Sequence, residues 1–213
     1  KDPGSALTHF IAMLTAMVAA TPLLIKAASV PGTMHLKALS VFIVSMILLY
    51  AASTVYHTFD ISEHVNKILR KIDHMMIFIL IAGTYTPVCL IVLGNKSGYR
   101  MLSLVWGIAI VGIIINALWI NCPKWFSSVI YIAMGWVCVM AIRQIVAALT
   151  PAAFAWLLAG GIIYTIGGVI YALKLPIFKS KHKNFGSHEI FHLFVMGGSF
   201  CHYMMMYGYV AAA

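Results

Sequence analysis

Residues 74–94, His74-Met-Met-Ile-Phe-Ile-Leu-Ile-Ala-Gly-Thr-Tyr-Thr-Pro87-Val-Cys-Leu-Ile-Val-Leu-Gly94, contain no Asp, Glu, Lys or Arg. A run of about 20 apolar residues coils into a helix roughly 30 Å long, which matches the hydrocarbon core of a bilayer. The run is too long and too uniformly apolar for a barrel strand. In lipid its backbone groups must pair within the segment, so a helix is the form it takes. Six further runs of the same kind occupy 6–25, 38–57, 101–120, 126–148, 152–173 and 188–210. The whole chain agrees with them: 62% of its 213 residues are hydrophobic and 9% are charged, with the charges gathered between the runs. The expected fold is an all-α integral membrane protein, one seven-transmembrane helix bundle over residues 6–210. Lys1-Asp2-Pro3-Gly4-Ser5 reads as an expression scar and Ala211-Ala212-Ala213 as a second, and both are set aside.

Seven alternating spans sort the cations onto two sides. Lys1, Lys67, Arg70, Lys71, Lys124, Lys174, Lys179, Lys181 and Lys183 fall on the N-terminal side. Lys26, Lys37, Lys96, Arg100 and Arg143 fall on the other, nine against five, or eight if Lys1 belongs to a scar. The excess predicts a cytosolic N-terminus and an outer C-terminus. It also assigns the +9 formal charge to a face that meets anionic lipid, and nothing in its pattern points to nucleic acid. Trp119 and Trp125 flank one cytosolic turn, and Tyr203, Tyr207 and Tyr209 crowd the outer end of the last span, as an aromatic belt does.

Local signals refine the spans. Pro22 and Pro87 should bend the first and third helices, because proline removes one backbone donor and crowds the preceding turn. Gly160, Gly161, Gly167 and Gly168 predict close helix packing. Cys89, Cys122, Cys138 and Cys201 lack metal or redox spacing and read as small packing residues. Asp60 and Glu63 resemble a capping box that opens a surface helix over 61–72. The 174–187 connection, with Lys179, Lys181 and Lys183, reads as an irregular basic loop.

The chemistry is carried by three polar motifs. The second span ends Ser53-Thr-Val-Tyr-His57, the third begins Asp73-His74, and the seventh begins His188-Glu189-Ile-Phe-His192. In a seven-span chain all three lie on the N-terminal side at one depth, whereas one span more or fewer between them would scatter them across the bilayer. His188 and His192 are one turn apart on one helix face and can hold one ion. With His57 they make a sufficient set of imidazoles for zinc, which leaves a fourth place for water in catalytic sites. Asp73 would stand beside that water as proton acceptor, and Ser53, one turn from His57, could bond the water or a substrate carbonyl. A metal-assisted hydrolase follows.

Competing readings attach to the same residues. Asp73 alone could cap the third span, and Ser53 alone could bond its own helix backbone. His188-Glu189-Ile-Phe-His192 also fits H-E-x-x-H, the zinc-protease pattern in which the glutamate is the general base, which makes an intramembrane metalloprotease a rival. His9 and His74 lie near the proposed depth, and either would fill the fourth metal position in place of water and make the zinc structural, as in a lipid sensor. His202 lies about 15 Å beyond His192 and should make a buried hydrogen bond instead, while His64 and His182 read as solvated. No ring of charges lines a conduction path, and no lysine sits mid-membrane in the seventh span to bind retinal.

Several blocks resemble the progestin and adipoQ receptor (PAQR) family, and within it the bacterial hemolysin III branch. They are Ala-Ser53-Thr-Val-Tyr-His57, Asp73-His74, Ala82-Gly-Thr-Tyr-Thr-Pro87, Tyr131-Ile-Ala-Met-Gly135-Trp136, and His188-x-x-x-His192 with Gly197-Gly198-Ser199-x-x-His202-Tyr. The resemblance, adiponectin-receptor-like in its blocks, implies a seven-helix bundle with its N-terminus inside, in a bacterial plasma membrane. It implies zinc (Zn2+) on His57, His188 and His192, with Asp73 and Ser53 nearby. It also implies ceramidase-like hydrolysis of a lipid amide, with hemolysis, including pore formation, or membrane lipid homeostasis as the role of bacterial members. The long cytosolic N-terminal domain of the receptors is not in this sequence, and the family pattern does not require Glu189.

Overall fold

The computed structural model describes residues 2–119, 124–173 and 186–213. Lys1, Cys122, His182 and nearly all of the basic 174–187 connection lie outside them. The described residues are helical in long segments, which we number α1 (Pro3–Ala28), α2 (Met34–Thr58), α3 (Glu63–Pro87, continuing in a wider turn through Val88–Leu93), α4 (Lys96–Leu118), α5 (Lys124–Gly135, continuing to Ala148), α6 (Pro151–Leu173) and α7 (Ser187–Met205, continuing to Val210). The segments from α1 to α6 are long and apolar enough to cross a membrane, six in all. His188, Glu189, His192 and His202 make α7 the more polar segment, and it is not one of the six.

Each helix packs on its neighbours in sequence, and α7 returns to α1 and closes the ring. Contacts fix the directions. Ser5 meets Glu189 at the start of α7, and Lys26 Nζ donates to Tyr207 O at its end, so α1 and α7 run parallel. Lys71 Nζ donates to Ala117 O, which sets the end of α4 beside the early part of α3, and Tyr131 OH donates to His74 O from α5. The outside of the bundle is apolar, with Leu7, Val18, Ile25, Val111 and Met140 exposed, while Ser45, Ser53, Asp73, Asn116, Ser199 and His202 are buried. A protein in water shows the reverse distribution; one in lipid turns its polar groups inward.

Two local readings change. The helix expected over 61–72 is continuous with the third span, because Ile72, Asp73 and His74 carry no breaker. Its cap is Ser62, whose Oγ accepts from Val65 N–H at 3.3 Å, while Asp60 accepts from the Asn66 side-chain amide at 2.6 Å. Asp73 therefore stands about 15 Å along α3 and caps nothing. Pro87 widens the helix as its missing N–H predicts: the turns after it form wider hydrogen-bonded rings up to Gly94, at φ 55°. Cys89 and Cys201 are buried free thiols and Cys138 is a partly buried one, in accord with packing roles.

The glycines of α6 divide by face. A Cβ on Gly160 would strike the His202 ring, and one on Gly167 would lie 2.7 Å from Phe194 Cβ, whereas one on Gly161 would meet nothing within 4 Å. Gly160→Ala is accordingly expected to destabilise the bundle by about 1–3 kcal/mol through overpacking. Gly161→Ala should be neutral or slightly stabilising through helix propensity. Melting temperatures of the two variants in one detergent check this, and equal values would contradict the assigned α6–α7 contact.

Candidate metal centre

The end of α2, the start of α7 and the first turns of α1 meet at one end of the bundle. His57 comes from the last turn of α2, and His188 and His192 come from successive turns of α7. Each of the three can offer a ligand atom such that all lie within 4.8 Å of one another. Their rings face a common point, with centroids 4.9 Å apart for His57 and His188, 5.1 Å for His57 and His192, and 4.6 Å for His188 and His192. His57 Nε2 and His188 Nε2 are 3.2 Å apart. His57 and His192 are each 2% exposed.

This donor set fits a metal ion. Nitrogen ligands on neutral imidazoles suit zinc and other borderline cations, and the three helical turns bring them within reach of one ion. His192 Nδ1 is buried with no hydrogen-bond partner, a vacancy that ordinarily costs about 1–3 kcal/mol and that ligation of the ring would help to offset. The sequence-derived ligands are thus brought together as a cluster able to hold a metal.

The sequence-predicted Ser53 and Asp73 meet each other. Ser53 lies one turn up α2 from His57, 1% exposed, and its hydroxyl lies against the Asp73 carboxyl of α3, itself 8% exposed. No bond of Ser53 to its own helix backbone forms, so the alternative for this residue does not hold. His74 is committed elsewhere: Nδ1 donates to Arg70 O at 2.7 Å, and Nε2 accepts from Tyr171 OH at 3.0 Å. That removes His74 as a fourth ligand. His9 is closer, stacked on His192 at 3.7 Å between centroids, yet it is outside the group whose atoms converge.

Glu189 is also placed. Its Oε1 accepts from Ser5 Oγ at 2.7 Å and its Oε2 accepts from Gly186 N–H at 2.7 Å, which closes the start of α7. A general base needs a carboxylate oxygen aimed at the metal, and both oxygens of Glu189 are engaged at the helix cap. In this structure the glutamate of the H-E-x-x-H spacing is bonded at the start of its own helix.

Residues that sequence reasoning set aside touch the centre. Asp2 Oδ2 is 3.0 Å from His57 Nδ1, and Asp2 N–H donates to His57 O at 3.0 Å. A usable signal was present: Asp2, Ser5 and His9 follow the i, i+3, i+7 spacing of one helix face.

Beyond the centre lies an apolar cavity of about 130 Å3, partly open to the outside of the bundle. It runs from Tyr171, whose ring is 5.9 Å from that of His188, past Tyr131, Phe191 and Val195, to His202. Deeper still, Ser199 joins two tyrosines: Tyr50 OH donates to it at 2.7 Å, and Tyr164 OH is 2.8 Å away. His202 makes the buried bond expected of it, to Gly198 O at 2.8 Å.

A sequence model of the family described as "Haemolysin-III related" matches residues 1–203. The chain belongs to that family. Among relatives of this haemolysin-III-related protein, the hemolysin-3 homolog of Bacillus subtilis (strain 168) is 35% identical over 199 residues, covering 93% of this chain and 89% of the relative. Hemolysin-3 of Bacillus cereus is 37% identical over 200 residues, with 93% and 87% covered. An adiponectin receptor protein of Drosophila melanogaster is 27% identical over 180 residues, covering 76% of this chain and 40% of the receptor. The haemolysin-III-related chain is therefore a membrane-embedded helical protein whose His57, His188 and His192 could hold a metal ion.

Proposed function

We propose that this protein is a zinc-dependent hydrolase of a lipid amide or ester, ceramidase-like in its reaction, working at the inner leaflet of the cell membrane with a role in lipid homeostasis. In this reading α7 is a seventh span, the N-terminus is cytosolic, and the C-terminus is outside. The observation that carries the proposal is the convergence of His57, His188 and His192, and the Asp73–Ser53 pair, with Ser53 one turn along α2 from His57, supports it. When bound, zinc supplies Lewis acidity and lowers the pKa of a water to about 7. Asp73 accepts the proton of the attacking water and returns it to the leaving amine or alcohol, so one carboxyl acts in turn as base and acid. Ser53 donates to the substrate carbonyl or orients the water from the opposite side of Asp73. The apolar cavity beside Tyr171 and Phe191 supports a lipid substrate, since its lining suits hydrocarbon.

Metal removal tests the reading. Chelator-treated protein in lipid nanodiscs should lose cleavage of a fluorescent ceramide, and one equivalent of zinc should restore it. Cleavage by the metal-free protein at the original rate would contradict the assignment.

A second reading, a receptor-like lipid sensor with structural zinc, is favoured by the burial of His57 and His192, which resembles a closed site. It predicts that chelation lowers the melting temperature while no hydrolytic product forms under any condition. The pore-forming activity implied by the relatives' names has no lining of charges among the described residues to support it.

A further inference from the structure

The first two turns of α1 face the metal centre with three side chains, one on each part of it. Asp2 Oδ2 reaches His57 Nδ1 at 3.0 Å, Ser5 Oγ donates to Glu189 Oε1 at 2.7 Å at the start of α7, and His9 stacks on His192 at 3.7 Å. Ser5 and His9 are buried, 0% and 3% exposed, whereas the Asp2 side chain is 44% exposed. A neutral imidazole has one N–H and one lone pair, so what one nitrogen does decides what the other can do. With its Nδ1–H donated to Asp2, His57 turns the lone pair of Nε2 toward His188 and His192. In the 3.2 Å contact between His57 Nε2 and His188 Nε2, His188 is then the donor.

We infer that Asp2 is a positioning residue of the metal centre: its carboxylate holds His57 in the ligating tautomer and orientation, while Ser5 and His9 on the same face of α1 pack against Glu189 and His192. The inference rests on the metal-binding reading above. A carboxylate behind a ligating histidine raises the basicity of the ring and fixes its plane, and loss of such a partner typically weakens metal binding 10–100-fold. The second tie, Asp2 N–H to His57 O, is a backbone bond that any side chain at position 2 retains.

The experiment measures zinc affinity by competition with a chromophoric chelator, for the full chain in detergent, together with the visible spectrum of the cobalt-substituted protein. Asp2→Ala should still bind one zinc but with a dissociation constant raised about 10–100-fold, and with shifted cobalt bands. Asp2→Glu, which keeps a carboxylate, should recover most of the loss. The metal-free melting temperature of Asp2→Ala should fall only by what one half-exposed hydrogen bond contributes, and that of Asp2→Glu should not fall. Asp2→Ala binding zinc within twofold of the unsubstituted chain, or Asp2→Glu binding as weakly as Asp2→Ala, would overturn the inference while leaving the metal centre standing. Absence of zinc binding by the unsubstituted chain would overturn both.

Discussion

His192→Ala is expected to abolish stoichiometric zinc in the purified protein and to raise the dissociation constant of what still binds by roughly a hundredfold to a thousandfold. Zinc held by four protein ligands is worth about 10–16 kcal/mol in small folded domains, so one ligand carries about 3 kcal/mol, or at least two decades of affinity. His192 has no substitute nearby, since His74 is bonded to Arg70 O and Tyr171 and His9 is stacked flat on the ring that is lost. His202→Ala is the matched control on the same helix. Its Nδ1 serves Gly198 O about 15 Å from the centre, and full metal content should remain. Elemental analysis with chelator competition measures both variants. Full occupancy in His192→Ala would remove His192 from the metal site.

Asp73→Asn separates binding from turnover. The asparagine keeps the shape and the contact with Ser53 but cannot accept the proton of an attacking water. Zinc content and melting temperature should stay at the level of the unsubstituted chain, while the rate of ceramide cleavage falls about 10²–10⁴-fold, the usual contribution of a general base. Asp73 is not among the converging metal ligands, which is why the two readouts can part company. Unchanged turnover would take Asp73 out of the mechanism, and a loss of zinc would make it a ligand or a support of one.

Most of the fold was legible because lipid is a demanding solvent. An uncharged run such as 74–94 has one stable backbone form there, and its ends were read to within a few residues in nearly every helix. The join at 61–74 was misjudged for a physical reason. Lys67, Arg70 and Lys71 look like a surface helix, and only the absence of a breaker at Ile72 shows that the helix continues inward. The ligands were legible through parity, since His57 and His188 can meet only if an even number of crossings separates the end of α2 from the start of α7. Helix rotation was not. Whether Glu189 faces the metal or the helix cap depends on which way α7 turns, and its contacts with Ser5 and Gly186 come from a tertiary arrangement that one-turn spacing does not encode. Asp2 and Ser5 were passed over because Lys1-Asp2-Pro3-Gly4-Ser5 reads as an expression scar, although the same stretch carries the Asp2 carboxylate that meets His57.

X-ray absorption at the zinc edge of the purified, unchelated protein bears most directly on the centre. One zinc per chain is predicted, with three imidazole nitrogens at about 2.0–2.1 Å and one further light ligand at a similar distance. A protein that holds no stoichiometric zinc, or a zinc shell with fewer than three imidazoles, would contradict the account.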